Sequence, residues 1–151
     1  MLCYTTLLRP LVEYASIIWD PHTNANINRL EMVQRKYARF VFYDYRTTSS
    51  VTAMLDQLQW SSLQERRAQA KVEMMYRIVN DLVDIPTSYL TPTLMMRGHT
   101  QKYLVPFARI DVFRHSFFPD GIRLLNALPQ QLVDSASLDC FRGQTQSIQL
   151  R

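Results

Sequence analysis

The spacing of apolar residues predicts a mainly helical structure from the start of the chain to about residue 90. Apolar side chains recur there every three or four positions, which is the period of an amphipathic helix. Pro21 closes the first predicted helix, because the residue before a proline is excluded from helical backbone angles. We therefore expect a small bundle of about four helices. The predicted helices cover, in order, residues 1–20, 24–44, 51–58 and 62 to 82 or 83.

The fourth predicted helix has the widest apolar surface. Ser62 and Glu65 have the spacing of a capping box at its start. Glu73 and Arg77 are four residues apart, which allows a favourable ion pair on its surface. Its apolar side chains cover more than half of the circumference, so we expect this helix to be mostly buried at the centre of the bundle. They are Leu63, Ala70, Met74, Met75, Ile78, Val79 and Leu82.

The second predicted helix is amphipathic, with Thr23 or Asn24 as its N-cap. At 100° per residue its apolar side chains fall on one arc. They are Ile27, Leu30, Val33, Tyr37, Ala38 and Val41. Four basic side chains fall on the opposite arc, which we call the basic face. They are Arg29, Arg35, Lys36 and Arg39, with Glu31 at the edge of their arc.

After about residue 90 the chain becomes irregular and rich in aromatic residues. We expect a loop over 97–100, a short β-strand or hairpin over 108–112 and a short helical turn that begins at Phe117. Ser137 is the expected cap of a last helix. The sequence thus predicts a helical bundle over 1–90 and an irregular extension over 91–151, packed together as one structural unit.

Composition narrows the class of protein. The chain has 151 residues, a formal net charge of +4 and 47% hydrophobic residues, which favours one folded, mildly basic domain over a disordered one. Two cysteines and three histidines offer no pair at metal-ligand spacing, so we expect no metal and no cofactor. No apolar run is long enough to cross a bilayer or to form a signal peptide. We expect an intracellular protein, in the nucleus or the cytoplasm, that does not contact membranes.

No catalytic constellation stands out. Three glycines are too few and too scattered for a phosphate-binding loop, and the carboxylates are too sparse for two-metal phosphoryl transfer. The basic face is the strongest functional candidate, because basic side chains on one side of a helix can meet successive phosphates of RNA or DNA. The alternative is a solvated face without a ligand. Five later aromatics either stack on bases or pack in the core: Tyr103, Phe107, Phe113, Phe117 and Phe118.

Short sequence blocks follow one another along nearly the whole chain. They are 8–16 (LRPLVEYAS), 19–21 (WDP), 30–36 (LEMVQRK), 38–40 (ARF), then Leu58, Trp60, Leu63, Arg66 and Arg67, then 116–119 (SFFP), Asn126, Leu128 and Pro129, and finally Ser137, Leu138 and Phe141. In order and spacing these blocks resemble the region downstream of the polymerase palm in reverse transcriptases of non-LTR (LINE-type) retrotransposons. Two positions depart from that pattern, Leu125 in place of a tryptophan and Asp120 in place of a basic residue.

The resemblance implies a non-catalytic, thumb-side fragment of such a polymerase, without the palm aspartates and without an endonuclease. In an intact polymerase such a region would hold the nucleic acid, here through the basic face. The alternative is a purely structural remnant that packs against the missing palm or against another copy through exposed apolar surface. A free-standing adaptor for other proteins is a third hypothesis. Salt dependence separates the first two, since phosphate contacts weaken steeply with salt and apolar contacts do not.

Overall fold

Helices dominate the part of the chain that the computed structural model describes, which is residues 3–93, 102–146 and 148. A π-helical segment, Tyr4–Leu8, comes first and a 3-10 turn, Thr87–Tyr89, lies between α4 and α5. The α-helices are α1 (Arg9–Glu13), α2 (Asn24–Phe42), α3 (Val51–Gln57), α4 (Leu63–Val79), α5 (Asp111–Arg114), α6 (Phe117–Ala127), α7 (Gln130–Val133) and α8 (Leu138–Thr145). The mainly helical prediction is confirmed, with eight α-helices in these residues where we expected about four in the bundle.

Two compact units divide the chain, and the division falls inside α4 rather than near residue 90. The first unit comprises Met1–Ser16 and Pro21–Arg67. The second comprises Ile17–Asp20 and Ala68–Arg151.

The first helix ends earlier than its apolar pattern predicts. It stops at Glu13, and Ala15 adopts a left-handed conformation with φ of 49°. The predicted extension to Asp20 is therefore wrong. Ile18 and Trp19, which continued the helical period in the sequence, are exposed. Met1 and Leu2, the first residues of the predicted helix, lie outside the described residues.

In the first unit, α2 packs against α3 with the bounds that the sequence indicates. Thr23 precedes α2 in an extended conformation, and Ser50 caps α3 by accepting a hydrogen bond from the backbone N–H of Ala53 at 3.3 Å. The buried side chain of Gln34 donates to the carbonyl of Ser61 at 3.0 Å. This bond fixes α2 to the turn that precedes α4. The buried apolar residues of the unit are Tyr4, Ala38, Met54 and Leu63.

Two arginines at the start of α4 hold α1 in the first unit. Arg66 forms a bidentate pair with the carboxylate of Glu13, and Arg67 donates to the carbonyl of Val12. Burial by itself would raise the pKa of Glu13, but the hydrogen bonds and charge of Arg66 lower it below its ordinary value. Glu13 is therefore ionised at neutral pH, and α1 is held by charge-assisted hydrogen bonds.

In the second unit, α4 supplies four residues of the core, Val72, Met75, Tyr76 and Ile78, and Glu73 pairs with Arg77 at 2.6 Å. The start of α4 belongs to the first unit, where Ser62 accepts a hydrogen bond from the backbone N–H of Glu65 at 3.1 Å. Met74 is only partly buried, and Leu82 is exposed because α4 ends at Val79. The core cluster comprises Val72, Met75, Tyr76, Ile78, Leu90, Ile122, Leu125, Leu128, Leu132, Val133 and Phe141.

Gly121 permits close packing between α4 and α6. A Cβ atom at this position would lie 2.8 Å from Cγ and 3.0 Å from Sδ of Met75. Any larger side chain would have to displace Met75 from the core.

A buried lysine joins three segments of the second unit. Lys71 on α4 is 1% exposed, and its Nζ lies 2.9 Å from Oδ2 of Asp20 and 2.6 Å from Oδ2 of Asp120. Asp120 lies in the first turn of α6, and its Oδ1 is also 3.6 Å from the guanidinium of Arg123. The ammonium group thus connects the segment before Pro21, α4 and α6.

The C-terminal predictions divide into correct and wrong ones. Ser137 caps α8 by accepting from the backbone N–H of Cys140 at 3.3 Å, as expected. The strand or hairpin over 108–112 is wrong, because Asp111–Arg114 form α5 and Ile110 and Val112 are exposed. Strand pairing is limited, in the described residues, to one isolated antiparallel bridge between Pro92 and Tyr103. The predicted loop over 97–100 lies outside the described residues.

Candidate functional site

Three of the four residues of the basic face project from α2 into solvent. Arg29, Arg35 and Lys36 are exposed, and none of them makes a hydrogen bond or ion pair within the part of the chain that the structure describes. Arg29 and Lys36 are seven residues apart, which places them on one line about 10 Å apart along the helix axis. Three cationic groups therefore remain available to an anionic ligand on one helix.

Arg39 has a different role from the other three. Its guanidinium donates to the carbonyls of Asp44 at 3.3 Å, Arg46 at 2.6 Å and Ser49 at 3.5 Å. Arg39 therefore ties the loop after α2 to the helix, and its donors are used inside the protein. The helical projection places it correctly on the basic face but cannot show this use.

The carboxylates near the basic face are already paired. Glu31 accepts a hydrogen bond from the backbone N–H of Gln64 at 2.9 Å. Asp44 accepts from the guanidinium of Arg46 at 3.0 Å and from the hydroxyl of Ser49 at 2.6 Å. The bond from Arg46 is the main reason why the pKa of Asp44 lies well below its ordinary range. Among the described residues, neither Glu31 nor Asp44 forms an ion pair with Arg29, Arg35 or Lys36.

Exposed apolar residues lie on the same side of α2 as the free cations. The basic face was defined by its charged residues alone. A helical projection of α2 at 100° per residue also places Met32, Phe40 and Tyr43 within about 40° of Lys36. Phe40 is 50% exposed and Tyr43 is 81% exposed. The helical period of the sequence was therefore sufficient to predict these apolar residues on the basic face, but the positions of the charges were not.

Five aromatic rings form a continuous row from the interior of the first unit to this surface. We call it the aromatic row: Trp60, Tyr4, Tyr37, Phe40 and Tyr43. The centroid distances between successive rings are 4.3, 5.0, 5.5 and 6.0 Å. Tyr4 is buried, and burial raises its pKa to about 12, so its phenol is neutral at physiological pH. The exposed end of the row is thus supported by packed rings beneath it.

Tyr43 ends α2 in a conformation that tyrosine rarely adopts. Its φ is 52° and its ψ is 27°, the left-handed region in which glycine is the usual residue at a helix end. Its backbone N–H still bonds the last carbonyls of the helix, those of Arg39 and Phe40. The chain therefore places a large, exposed ring where a residue without a side chain would fit with less strain.

The five later aromatics that we considered for base stacking do not form one surface. Phe117 and Phe118 pack against the core of the second unit, and Phe118 stacks on Tyr89 with centroids 4.8 Å apart. Tyr103 also packs against that core, and its backbone exchanges two hydrogen bonds with the side chain of Asn126. Phe107 and Phe113 are exposed. Core packing thus accounts for three of the five.

The described residues form neither a cluster of metal ligands nor a membrane-spanning helix. Among the described residues, no three His, Cys, Asp or Glu side chains are grouped as ligands of a metal ion. No helix in the same residues is both long enough and apolar enough to cross a bilayer.

The face on α2 thus combines three exposed cations with exposed rings, and neither Glu31 nor Asp44 pairs with those cations in the described residues. Such a surface suits an anionic ligand that also has flat apolar groups. In comparisons with known proteins, no family model, no curated protein and no solved structure matches the chain.

Proposed function

We propose that this protein binds the phosphate backbone of RNA or DNA through the basic face of α2. The observation that carries the proposal is the set of three exposed cations, Arg29, Arg35 and Lys36, which make no ion pair among the described residues. Like charges on one helix repel each other modestly. A polyanion would relieve that repulsion and release its own condensed counterions, which is the main source of free energy in backbone binding.

In this proposal Arg39 positions the site rather than contacting the ligand. Its three bonds to loop carbonyls fix the segment that carries Tyr43 and Asp44 at the end of α2. Phosphate contacts by the remaining three residues would carry little base information, so binding would be general in sequence.

The salt dependence of binding tests the proposal. With three phosphate contacts, the logarithm of the association constant for a single strand is expected to fall with the logarithm of salt at a slope of about −2. The double variant Arg35→Gln with Lys36→Gln leaves one contact, so its slope should be shallower than about −1. Fluorescence anisotropy with a labelled oligonucleotide of about 12 nucleotides measures both slopes.

A matched control separates a specific face from overall charge. The double variant Arg109→Gln with Arg114→Gln also removes two positive charges, from exposed positions of the second unit. It should bind with the slope and affinity of the wild type. Equal weakening by the two double variants would contradict the proposal, since it would show that net charge rather than the basic face governs binding.

We further propose that the chain corresponds to the post-palm region of a non-LTR reverse transcriptase and acts as a binding module without catalysis of its own. The ordered sequence blocks described above support this proposal. Block 30–36 supplies Arg35 and Lys36, and block 8–16 supplies the Glu13 that Arg66 holds.

A second candidate function is packing against another protein surface, and exposed residues of the first unit favour it. Leu7, Leu11 and Tyr14 lie close together in the sequence and are 62%, 71% and 77% exposed. A group of exposed apolar side chains is typical of a surface that a partner covers.

Sedimentation over a concentration series tests that candidate. We expect the wild type to self-associate as its concentration rises, and the variant Leu7→Ser with Leu11→Ser to remain a monomer at every concentration. Analytical ultracentrifugation distinguishes the two. A wild-type chain that stays monomeric throughout would remove the argument for self-association.

A further inference from the structure

We infer that the ligand of α2 is a single strand, whose unpaired bases stack on Phe40 and Tyr43 while Arg29, Arg35 and Lys36 hold its phosphates. This inference rests on the proposed function and names the class of nucleic acid. Its new element is the exposed end of the aromatic row, which phosphate binding alone does not use.

The spacing of the two rings favours separated bases. Bases stacked along one strand of a duplex are about 3.4 Å apart, whereas the centroids of Phe40 and Tyr43 are 6.0 Å apart. One base on each ring must therefore be unstacked from its neighbour. A single strand allows this at little cost, but a duplex does not, because its bases are paired and stacked.

Packed aromatic rings beneath Phe40 favour a fixed surface on which a base can stack. Phe40 contacts Tyr37 at 5.5 Å between centroids, and Tyr37 contacts the buried Tyr4 at 5.0 Å. Rings held in this way lose little conformational freedom when a base stacks on them. The row thus extends a rigid part of the first unit to the surface beside Lys36.

Tyr43 combines a strained backbone with a ring that is largely unpacked. A bulky residue in the left-handed region is strained, and glycine would relieve that strain at the end of α2. The ring gains little packing in return, because it is 81% exposed. A ligand that stacks on the ring would supply the missing contact.

The test compares three labelled DNA probes of about 12 nucleotides with the full-length chain: a single strand, the same strand with its bases removed, and its duplex. The variants are Tyr43→Gly and Phe40→Leu, with Tyr45→Ala as a control because Tyr45 is an exposed tyrosine in the loop beyond α2. Tyr43→Gly is informative because glycine suits this backbone, so thermal unfolding should occur at the wild-type temperature or above it.

We expect the wild type to bind the single strand at least about 25-fold more tightly than the base-free strand, because each of the two rings contributes about fivefold or more. Tyr43→Gly and Phe40→Leu should each weaken binding of the single strand about fivefold or more, leave the base-free strand and the salt slope unchanged, and exceed any effect of Tyr45→Ala.

Equal affinity for the strands with and without bases, or wild-type affinity in Tyr43→Gly, would overturn the inference. In either case a salt slope of about −2 would leave the proposed phosphate binding intact. Tighter binding of the duplex than of the single strand would also overturn the inference alone. No binding of any probe at low salt would overturn both.

Discussion

Replacing Lys71 by methionine is expected to lower the free energy of unfolding by about 3–5 kcal/mol. The ammonium group of Lys71 is buried and is shared by the carboxylates of Asp20 and Asp120, at 2.9 and 2.6 Å. Methionine fills a similar volume but supplies no charge. The variant therefore leaves two largely buried carboxylates without the cation between them, and the desolvation of those charges is no longer offset.

The control is a variant in which the cluster of Lys71, Asp20 and Asp120 carries no charge. Lys71→Met combined with Asp20→Asn and Asp120→Asn should recover a large part of the lost stability, because a neutral cluster avoids the desolvation penalty. Urea denaturation of the wild type, the single variant and the triple variant measures both effects. A single variant within about half a kcal/mol of the wild type, as at an ordinary surface site, would show that Lys71 does not hold these segments together.

Replacing Ile78 by alanine is expected to lower the free energy of unfolding by about 2–5 kcal/mol. Ile78 is 0% exposed and belongs to the core cluster of the second unit. The substitution removes three carbon atoms from a packed site, and the surrounding helices can close the resulting cavity only in part.

Leu82→Ala is the matched control, because Leu82 follows the same helical period but is 58% exposed. Its effect should stay within about half a kcal/mol. Met74→Ala should fall between the two, since Met74 is partly buried against the core. An Ile78→Ala variant as stable as Leu82→Ala in the same denaturation experiment would refute the central position of α4.

Much of the helical structure followed from local pattern. The starts of α3, α4 and α8 depend on a serine cap next to an apolar period, which are interactions between residues at most four apart. α2 also begins where its apolar period predicts, although Thr23 makes no side-chain capping bond. Ser50, Ser62 and Ser137 each accept the expected backbone hydrogen bond. The sequence also determined that Arg29, Arg35 and Lys36 would be exposed, because the apolar arc of α2 allows only the opposite side to face solvent.

Only the tertiary structure decided where the backbone departs from the helix that the apolar period predicts. Ile18 and Trp19 continue the pattern of the first helix, but the chain leaves that helix after Glu13, where Arg66 and Arg67 hold it from a distant part of the sequence. Residues 108–112 alternate like a strand, but a strand needs a neighbour to accept its hydrogen bonds. The described residues provide none there, and α5 forms instead.

The roles of individual charges were also decided by contacts distant in sequence. Helical projection places Arg39 beside Arg35 and Lys36, yet only the loop after α2 determines that its donors bind carbonyls. Lys71 lies on the same side of α4 as Ile78, where sequence alone predicts an apolar residue, and only Asp20 and Asp120 make its burial tolerable. Periodicity reports which side of a helix is buried, whereas the partner of a charge depends on segments about 50 residues away that the fold brings together.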